Sequence, residues 1–150
     1  IVPLANPDLF VTVVHPQIEV RTSDARQILR KQVFLKDAIK QWGNIAGLVA
    51  GFMSNDKALI GRSLEDVIIE PVRSILIPAF DVVKTKCKEA GALGGGISGS
   101  GPSVFMLSET EDIARKVGVI MKEEYDKIGI ENYVYVTTIN KNGVEVVNSE

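Results

Sequence analysis

Residues 94–107 have the sequence GGGISGSGPSVFML, in which a glycine-rich turn runs directly into an apolar strand. The stretch from Gly91 to Leu107 contains no charged side chain, and six of the 13 glycines of the 150-residue chain fall in its first eleven positions. Bare glycine amides can curl around one anion and donate several hydrogen bonds to it. A hairpin turn that uses glycine for geometry alone is the alternative, although each glycine adds entropy to the unfolded chain. We therefore favour a binding role through backbone N–H groups and serine hydroxyls.

The candidate binding residues of this segment are Gly94, Gly95, Gly96, Ser98, Gly99, Ser100 and Gly101, together with the hydroxyl of Ser103. Three well-known glycine motifs do not fit them. The Walker phosphate loop requires a Lys after its last Gly, and none is present here. Gly94, Gly96 and Gly99 have the G-x-G-x-x-G spacing, but a proline and a strand follow where a dinucleotide site requires a helix. The G-x-S-x-G elbow of hydrolases is absent as well.

Outside this hairpin, two further segments have strand character. Residues 9–15 are β-branched and apolar, and the run ends at Pro16. Residues 132–139 alternate Tyr, Val and Thr, as a half-buried strand does. The pair Asn142-Gly143 indicates a tight turn before a short final strand.

Helical patterns occupy most of the remaining chain. They predict a short helix capped by Thr22 or Ser23, a long helix over 35–53, a stretch that ends near Arg62, a segment over 66–77 with Pro71 in its first turn, and helices over 81–90 and 110–128. In the long helix Gly43, Gly47 and Gly51 recur every fourth residue. Since glycine costs roughly 1 kcal/mol in a helix interior, this spacing suggests a flat stripe for close packing against another element.

The order of these elements is strand, helices, two-stranded hairpin, helix and strand. It predicts a ferredoxin-like α+β sandwich, in which a four-stranded antiparallel sheet carries helices on one face. Residues 1–150 are expected to form this fold as a single domain. The stretch between the first and second strands contains more helices than the minimal version of the fold needs.

Composition excludes several classes of protein. Hydrophobic residues make up 45% of the chain and charged residues 24%, which is typical of a globular domain. The formal net charge of -2 argues against a nucleic-acid partner, and no apolar stretch approaches the roughly 20 residues of a membrane span. Because the chain opens with Ile1 rather than Met, we expect a piece of a longer protein. The one cysteine, Cys87, is expected to be an ordinary reduced thiol, since the only histidine, His15, is far from it in sequence.

Two segments outside the glycine stretch contain candidate anion-binding side chains. If a helix begins at Thr22, its hydroxyl, the free N–H groups of the first turn and the guanidinium of Arg26 converge on one side, an arrangement that suits a carboxylate. Arg73 follows Pro71 among apolar neighbours, where it is either an anion clamp or a side chain that extends to the surface. A simple helix cap and a solvated Arg26 are the alternatives for the first segment.

The stretch GGGISGSGPSVFML resembles the third motif of the GHMP kinases, the family named for galactokinase, homoserine kinase, mevalonate kinase and phosphomevalonate kinase. The resemblance implies that the glycine-rich segment lies beside the ATP phosphates and the phosphoryl acceptor. It also implies that the fold is the C-terminal, ferredoxin-like domain of that family. The segments EVRTSDAR (19–26) and IIEPVRSILIPAF (68–80) are similar to those of homoserine kinases. Ile69 and Ala79 depart from the family pattern, at positions that are not proposed ligands.

This resemblance implies that Thr22, Arg26 and Arg73 bind L-homoserine, with both arginines facing its α-carboxylate. It implies transfer of the ATP γ-phosphoryl group to homoserine in threonine biosynthesis. ATP and Mg²⁺ would be held mainly by an N-terminal domain that this chain lacks, so no catalytic or metal-binding residue is assigned here. A cytoplasmic homodimer without a membrane partner is expected. The alternatives are another GHMP kinase, such as a mevalonate-type enzyme, and a ferredoxin-like module that senses an amino acid.

Overall fold

The computed structural model describes residue 4 and residues 7–142. Along the chain the elements are β1 (Phe10–Pro16), α1 (Thr22–Gln27), α2 (Leu35–Ser54), α3 (Lys57–Ser63), α4 (Glu70–Arg73), a 3₁₀ turn (Ser74–Leu76), α5 (Phe80–Glu89), β2 (Gly94–Ile97), β3 (Val104–Ser108), α6 (Glu111–Lys127) and β4 (Asn132–Thr138). The helix predicted over 66–77 is shorter, because the Asp66 carboxylate accepts the N–H groups of Ile68 and Ile69, both at 2.8 Å, and forms a turn there. The short final strand predicted after Gly143 lies outside the described residues.

The strands form one antiparallel sheet in the order β2-β3-β1-β4. Val13 of β1 lies opposite Phe105 of β3 on one side and Tyr135 of β4 on the other. On the far side of β3, Gly96 of β2 also pairs with Phe105. This is the strand order of the ferredoxin-like sandwich that the sequence predicts. It leaves the glycine strand β2 at one edge of the sheet.

One face of the sheet is covered by α5 and α6. Val14, Val104 and Met106 point to this face from alternating positions of β1 and β3, and all are fully buried. The helix residues buried with them are Phe80, Val83, Cys87, Val117, Met121 and Tyr125. Because complete burial of one such apolar side chain contributes roughly 1.5–3 kcal/mol, this core is a major source of stability.

The opposite face carries a second layer, α2 and α3, which the prediction of helices on one face did not include. Ile60 of α3 packs with Leu107 and Phe105 of β3. These two strand residues alternate with Val104 and Met106, so they point to the other side of the sheet. The layer follows from the extra helices between β1 and β2, whose apolar side chains need a surface to cover them.

The glycine stripe of α2 permits close packing at two of its three positions. A Cβ at Gly47 would lie 2.5 Å from Oγ of Ser63, and one at Gly51 would lie 2.9 Å from Cγ1 of Ile60. Gly43 is different, because no atom of the described residues lies within 4 Å of a Cβ placed there. The stripe therefore lets α3 pack close to the second half of α2.

In the part of the chain that the structure describes, no helix has the length and apolar content to cross a bilayer.

Replacing Gly47 by Ala tests this helix contact. The added methyl group overlaps the hydroxyl of Ser63, so we expect a loss of about 1–3 kcal/mol in the free energy of unfolding, as in other overpacked cores. In a Ser63→Ala background the hydroxyl is gone, and Gly47→Ala should be neutral or stabilise by up to about 1 kcal/mol, since Ala has the higher helix propensity. Urea titrations of the parent, both single variants and the double variant measure the difference. An equal loss in both backgrounds would contradict this packing.

Candidate functional site

A groove of about 220 Å³ lies between α2, α4 and the β2–β3 hairpin. Its walls include Asn44 and Ile45 of α2, Glu70 and Arg73 of α4, Gly96 of β2, and Gly99 in the turn that follows. Apolar walls with a small number of polar groups are typical of a site for a small molecule.

The loop that leads into α4 is held by polar side chains of α2. Asn44 Nδ2 donates a hydrogen bond to the carbonyl oxygen of Glu65 at 2.7 Å. The side-chain oxygen of Gln41 accepts the N–H of Val67 at 2.9 Å. Because these bonds fix the chain just before α4, they also fix the direction from which α4 presents its side chains to the groove.

Arg73 connects α1 to the glycine turn. It lies at the end of α4, whose first turn contains Pro71 as predicted. Its Nε donates to the carbonyl oxygen of Ala25 at 3.3 Å, and its Nη1 donates to that of Gly99 at 3.1 Å. A guanidinium has five N–H donors, so these two bonds leave donors for a further acceptor. The structure therefore brings this candidate residue together with the glycine turn and with the helix of the other two candidates.

Helix α1 begins at Thr22, as predicted, but the prediction of a side-chain cap is wrong. The N-cap residue is Arg21, and its side chain makes no capping hydrogen bond. Thr22 and Arg26 are exposed, whereas Ala25 between them is fully buried. In the part of the chain that the structure describes, no hydrogen bond or ion pair involves the guanidinium of Arg26. Helix α1 therefore presents a hydroxyl at its start and a solvated guanidinium in its last turn, while Ala25 anchors the helix beside Arg73.

The glycine segment divides into a strand and a turn. In β2, a Cβ at Gly96 would lie 2.7 Å from Oε2 of Glu70, so glycine permits close approach of that carboxylate. In the turn over 98–101, Gly99 has a φ of 61°, a left-handed conformation that favours glycine. The N–H groups of Ser98 and Gly101 are already bonded within the segment. The N–H groups of Gly99 and Ser100 remain in the turn as donors to which an anion could bind.

Glu70 is a groove residue that the sequence analysis did not identify. Its carboxylate forms an ion pair with Lys84 of α5, and the two side chains are only 14% and 16% exposed. Burial raises the pKa of Glu70, and the hydrogen bond and charge of Lys84 act in the opposite direction. A carboxylate within the apolar run 67–72 could have been recognised as an acid that needs a cation when buried. Its partner, fourteen residues further on, could not have been recognised.

Removing the partner amine tests this pair. Lys84→Met leaves the Glu70 carboxyl buried without a cation, so its pKa should rise further. A carboxyl whose folded-state pKa exceeds its unfolded value, near 4.5, stabilises the fold below that pH and loses the contribution as the pH rises. We therefore expect a loss of stability that is small at about pH 4 and grows to about 3 kcal/mol at neutral pH. Urea unfolding across this pH range measures it.

The matched control is Lys40→Met, which removes the amine of an exposed pair. Lys40 and Glu65 are both 53% exposed, and such pairs contribute about 0–1 kcal/mol. This variant should lose little stability at any pH of the series. If Lys84→Met lost the same amount at every pH, or no more than the control, the buried pair would not have the role described.

Two other side chains of reactive types, Cys87 and His15, lie in environments that indicate structural roles. Cys87 is fully buried in the core between α5 and α6. Burial, with a smaller effect from the Glu124 carboxylate, raises the pKa of its thiol to about 12. The buried thiol therefore stays protonated at neutral pH and is a poor nucleophile, because the thiolate is the reactive form. His15 Nδ1 lies 2.7 Å from Oγ of Ser103. The hydroxyl of Ser103, a candidate ligand group, is therefore already hydrogen-bonded to a side chain of β1.

Comparison with known proteins agrees with this architecture. Residues 46–127 match the family model described as GHMP kinases C terminal. This match covers more than half of the 150 residues. The chain belongs to the GHMP kinase C-terminal family. The fold expected from the glycine motif, the C-terminal domain of that family, is therefore confirmed.

Three relatives are informative within this family. The homoserine kinase of Chloroherpeton thalassium is 44% identical over 149 residues, which cover 98% of this chain and 47% of that protein. The homoserine kinase of Pyrococcus furiosus is 42% identical over 134 residues, covering 89% and 45%. A crystal structure of homoserine kinase from Cytophaga hutchinsonii superposes with a TM-score of 0.91 at 54% identity and covers 93% of this chain and 45% of that one. The chain thus spans about half the length of the curated relatives it matches.

Proposed function

We propose that this chain is the substrate-binding half of a homoserine kinase. The full protein would transfer the γ-phosphoryl group of ATP to the side-chain hydroxyl of L-homoserine and give O-phospho-L-homoserine. One observation carries this proposal: Arg73 bonds to α1 through Ala25 and to the glycine turn through Gly99. A carboxylate bound beside α1 would therefore lie close to the turn that resembles the phosphate-side motif of the family.

The amino-acid end of the substrate would be held by the two arginines. Arg26 is solvated, and Arg73 keeps free N–H groups after its two backbone bonds. Guanidinium groups bind carboxylates through paired hydrogen bonds in one plane, which fixes orientation as well as position. Thr22, four residues before Arg26, would offer its hydroxyl on the same side of α1.

The reacting end would lie against the glycine turn. Phosphoryl transfer depends mainly on alignment and charge stabilisation, and the protein does little covalent chemistry in it. The hydroxyl oxygen forms a bond to the γ-phosphorus while the bond from that phosphorus to the bridging oxygen of ADP breaks, and the hydroxyl proton is released. In our proposal ATP and Mg²⁺ are held mainly by the other half of the protein. The role of the chain described here would be to orient the acceptor hydroxyl and to exclude water from it.

Two other functions are less well supported. A mevalonate-type kinase would also bring a carboxylate to the arginines, but the relatives at 42–54% identity are named homoserine kinases. A regulatory module that senses an amino acid would not need the glycine turn beside its ligand. The three segments that resemble homoserine kinases include that turn, and this favours the kinase.

Arginine substitutions in the full-length enzyme test the assignment. Arg26 is solvated in this chain, but in the full-length enzyme its pair with the substrate carboxylate would be shielded from water. Deleting one partner of such a pair costs roughly 2–5 kcal/mol, so Arg26→Ala should raise the KM for homoserine by at least about 30-fold. The KM for ATP should change little. Arg73→Ala should raise the homoserine KM as much and also lower kcat, because it releases the glycine turn from α1. Arg115→Ala, which removes an exposed pair on α6, is the control. Equal effects on both substrates would contradict the assignment.

The chain on its own should have no kinase activity. The turn and the arginines would position an acceptor, but the half that is proposed to hold ATP and Mg²⁺ would be missing. An assay of ADP release with homoserine and MgATP, run beside the full-length protein, measures this. Turnover by the isolated 150 residues would overturn the division of labour between the two halves.

A further inference from the structure

The glycine turn is tied at its base to strand β1. The N–H of Ser98 donates to the carbonyl oxygen of Ser103 at 2.8 Å, so the backbone of Ser103 closes the turn. The side chain of the same residue makes a second bond, since its Oγ lies 2.7 Å from Nδ1 of His15. Both side chains are half-buried. Ser103 therefore joins the turn to a strand residue that is 88 positions away in sequence.

The strand register places His15 on the groove side of the sheet. Val14 points into the core under α5 and α6 and lies opposite Val104. Because side chains alternate along a strand, the neighbouring His15 points to the opposite side, as Phe105 of β3 does. Phe105 is one of the residues that line the groove. The imidazole and the groove therefore share one face of the sheet.

The turn needs anchors because glycine does not restrain its own backbone. Gly99 and Gly101 have φ angles of 61° and 85°, in the left-handed region, and a glycine chain without anchors samples many other conformations. Arg73 holds the turn through the carbonyl oxygen of Gly99, and His15 holds its base through Ser103. The turn donors that remain for an anion belong to the segment that these two bonds hold.

We propose that His15 is a positioning residue, which holds the glycine turn through Ser103 in the conformation that phosphoryl transfer requires. The inference rests on the proposed function, because that function places the reacting end of the substrate against the turn. His15 would not contact the substrate. It would keep the turn amides aligned before the substrate binds, and such alignment is a main contribution of the protein to this class of reaction.

An imidazole suits this task because its bond to a hydroxyl survives a change in the direction of the proton. Nδ1 accepts from the Ser103 hydroxyl in one tautomer and donates to its oxygen in the other. In the second arrangement the hydroxyl proton is free to turn toward an anion, and the bond to β1 is kept. Ser103 could therefore serve as a ligand group without releasing the turn. An aliphatic side chain at position 15 offers neither arrangement.

The alternative is that the bond only stabilises the end of the sheet. The ladder between β1 and β3 does not depend on it, because the backbone pairs already run from Phe10 to Val14. On its other side β1 pairs with β4 along its whole length, from Phe10 to Pro16. Loss of one side-chain bond at the strand end should therefore leave both ladders intact and loosen the turn. The alternative predicts an effect on overall stability without a local one.

Hydrogen exchange of the full-length protein tests the anchor without any assay of activity. The N–H groups of Ser98 and Gly101 are bonded within the turn, so their exchange reports how often it opens. His15→Ala should speed their exchange by about five- to tenfold, while the amides of β1 and β3 exchange as in the wild type. Mass spectrometry of a peptide that covers residues 98–103 measures the difference. An unchanged rate in the turn, or an equal rise along the strands, would overturn the proposal.

Two conservative variants separate this contact from the mere presence of a polar side chain. His15→Asn places an amide atom where Nδ1 lies, so it should keep the bond and the slow exchange. His15→Gln places its amide further out, close to the position of Nε2, and should behave like His15→Ala. The matched control is Tyr133→Phe, because Tyr133 lies opposite His15 in β4 and its hydroxyl bonds to Glu131 instead. Faster exchange in the control, or as much in His15→Asn as in His15→Ala, would contradict the role of Nδ1.

Steady-state kinetics of the same variants test the use of this anchor in catalysis. His15→Ala should lower kcat about tenfold and change the KM for homoserine and for ATP less than about twofold, since the turn faces the reacting end of the substrate. In a Ser103→Ala background the same substitution should have no further effect, because His15 acts only through that hydroxyl. An unchanged kcat, or effects that add in full, would refute the positioning role. A wild type that does not phosphorylate homoserine would instead contradict the proposed function, and the exchange result would still decide whether His15 holds the turn.

Discussion

The guanidinium of Arg73 joins three parts of the chain that are far apart in sequence. It belongs to α4, and it donates to carbonyl oxygens of Ala25 in α1 and Gly99 in the glycine turn. Neither contact requires a particular side chain from the partner, so the partner residues can be as small as Ala and Gly. Because a planar guanidinium fixes the directions of both bonds, the relative position of α1 and the turn depends on this one side chain.

The relative position of α1 and the glycine turn depends in turn on the contacts that hold α4 in place. The four-residue helix is too short to be stable by itself, so its neighbours have to define it. On one side, Asn44 and Gln41 of α2 bond to the backbone of the preceding loop. On the other, Glu70 forms its ion pair with Lys84 beneath the glycine strand. The groove is therefore set by polar bonds between elements, while the apolar core beneath the sheet supports them.

Periodicity and the glycine motif predicted the sheet and most helices, and Arg73 joins the three segments that the family resemblance singled out. The contacts that they could not predict are long-range polar ones. Thr22 or Ser23 was expected to cap α1, but the helix begins at Thr22 itself, so neither side chain is at the capping position. Glu70 was overlooked because the identity of its cation depends on how α5 packs against α4. Local patterns report which side chains share a face, and they do not report which distant polar group each will meet.

Helix α2 shows the same distinction within a single element. Its 3-4 apolar spacing is what a core-facing helix has, and burial of that stripe would be the ordinary expectation. The structure buries the other side, where Gly47 and Gly51 admit α3 and Asn44 reaches the loop. Leu48 and Phe52 lie on this side too, where they pack against the cluster of Leu9, Ile60 and Leu107. The helix can therefore support the groove with one side and keep a second, apolar side available for another surface.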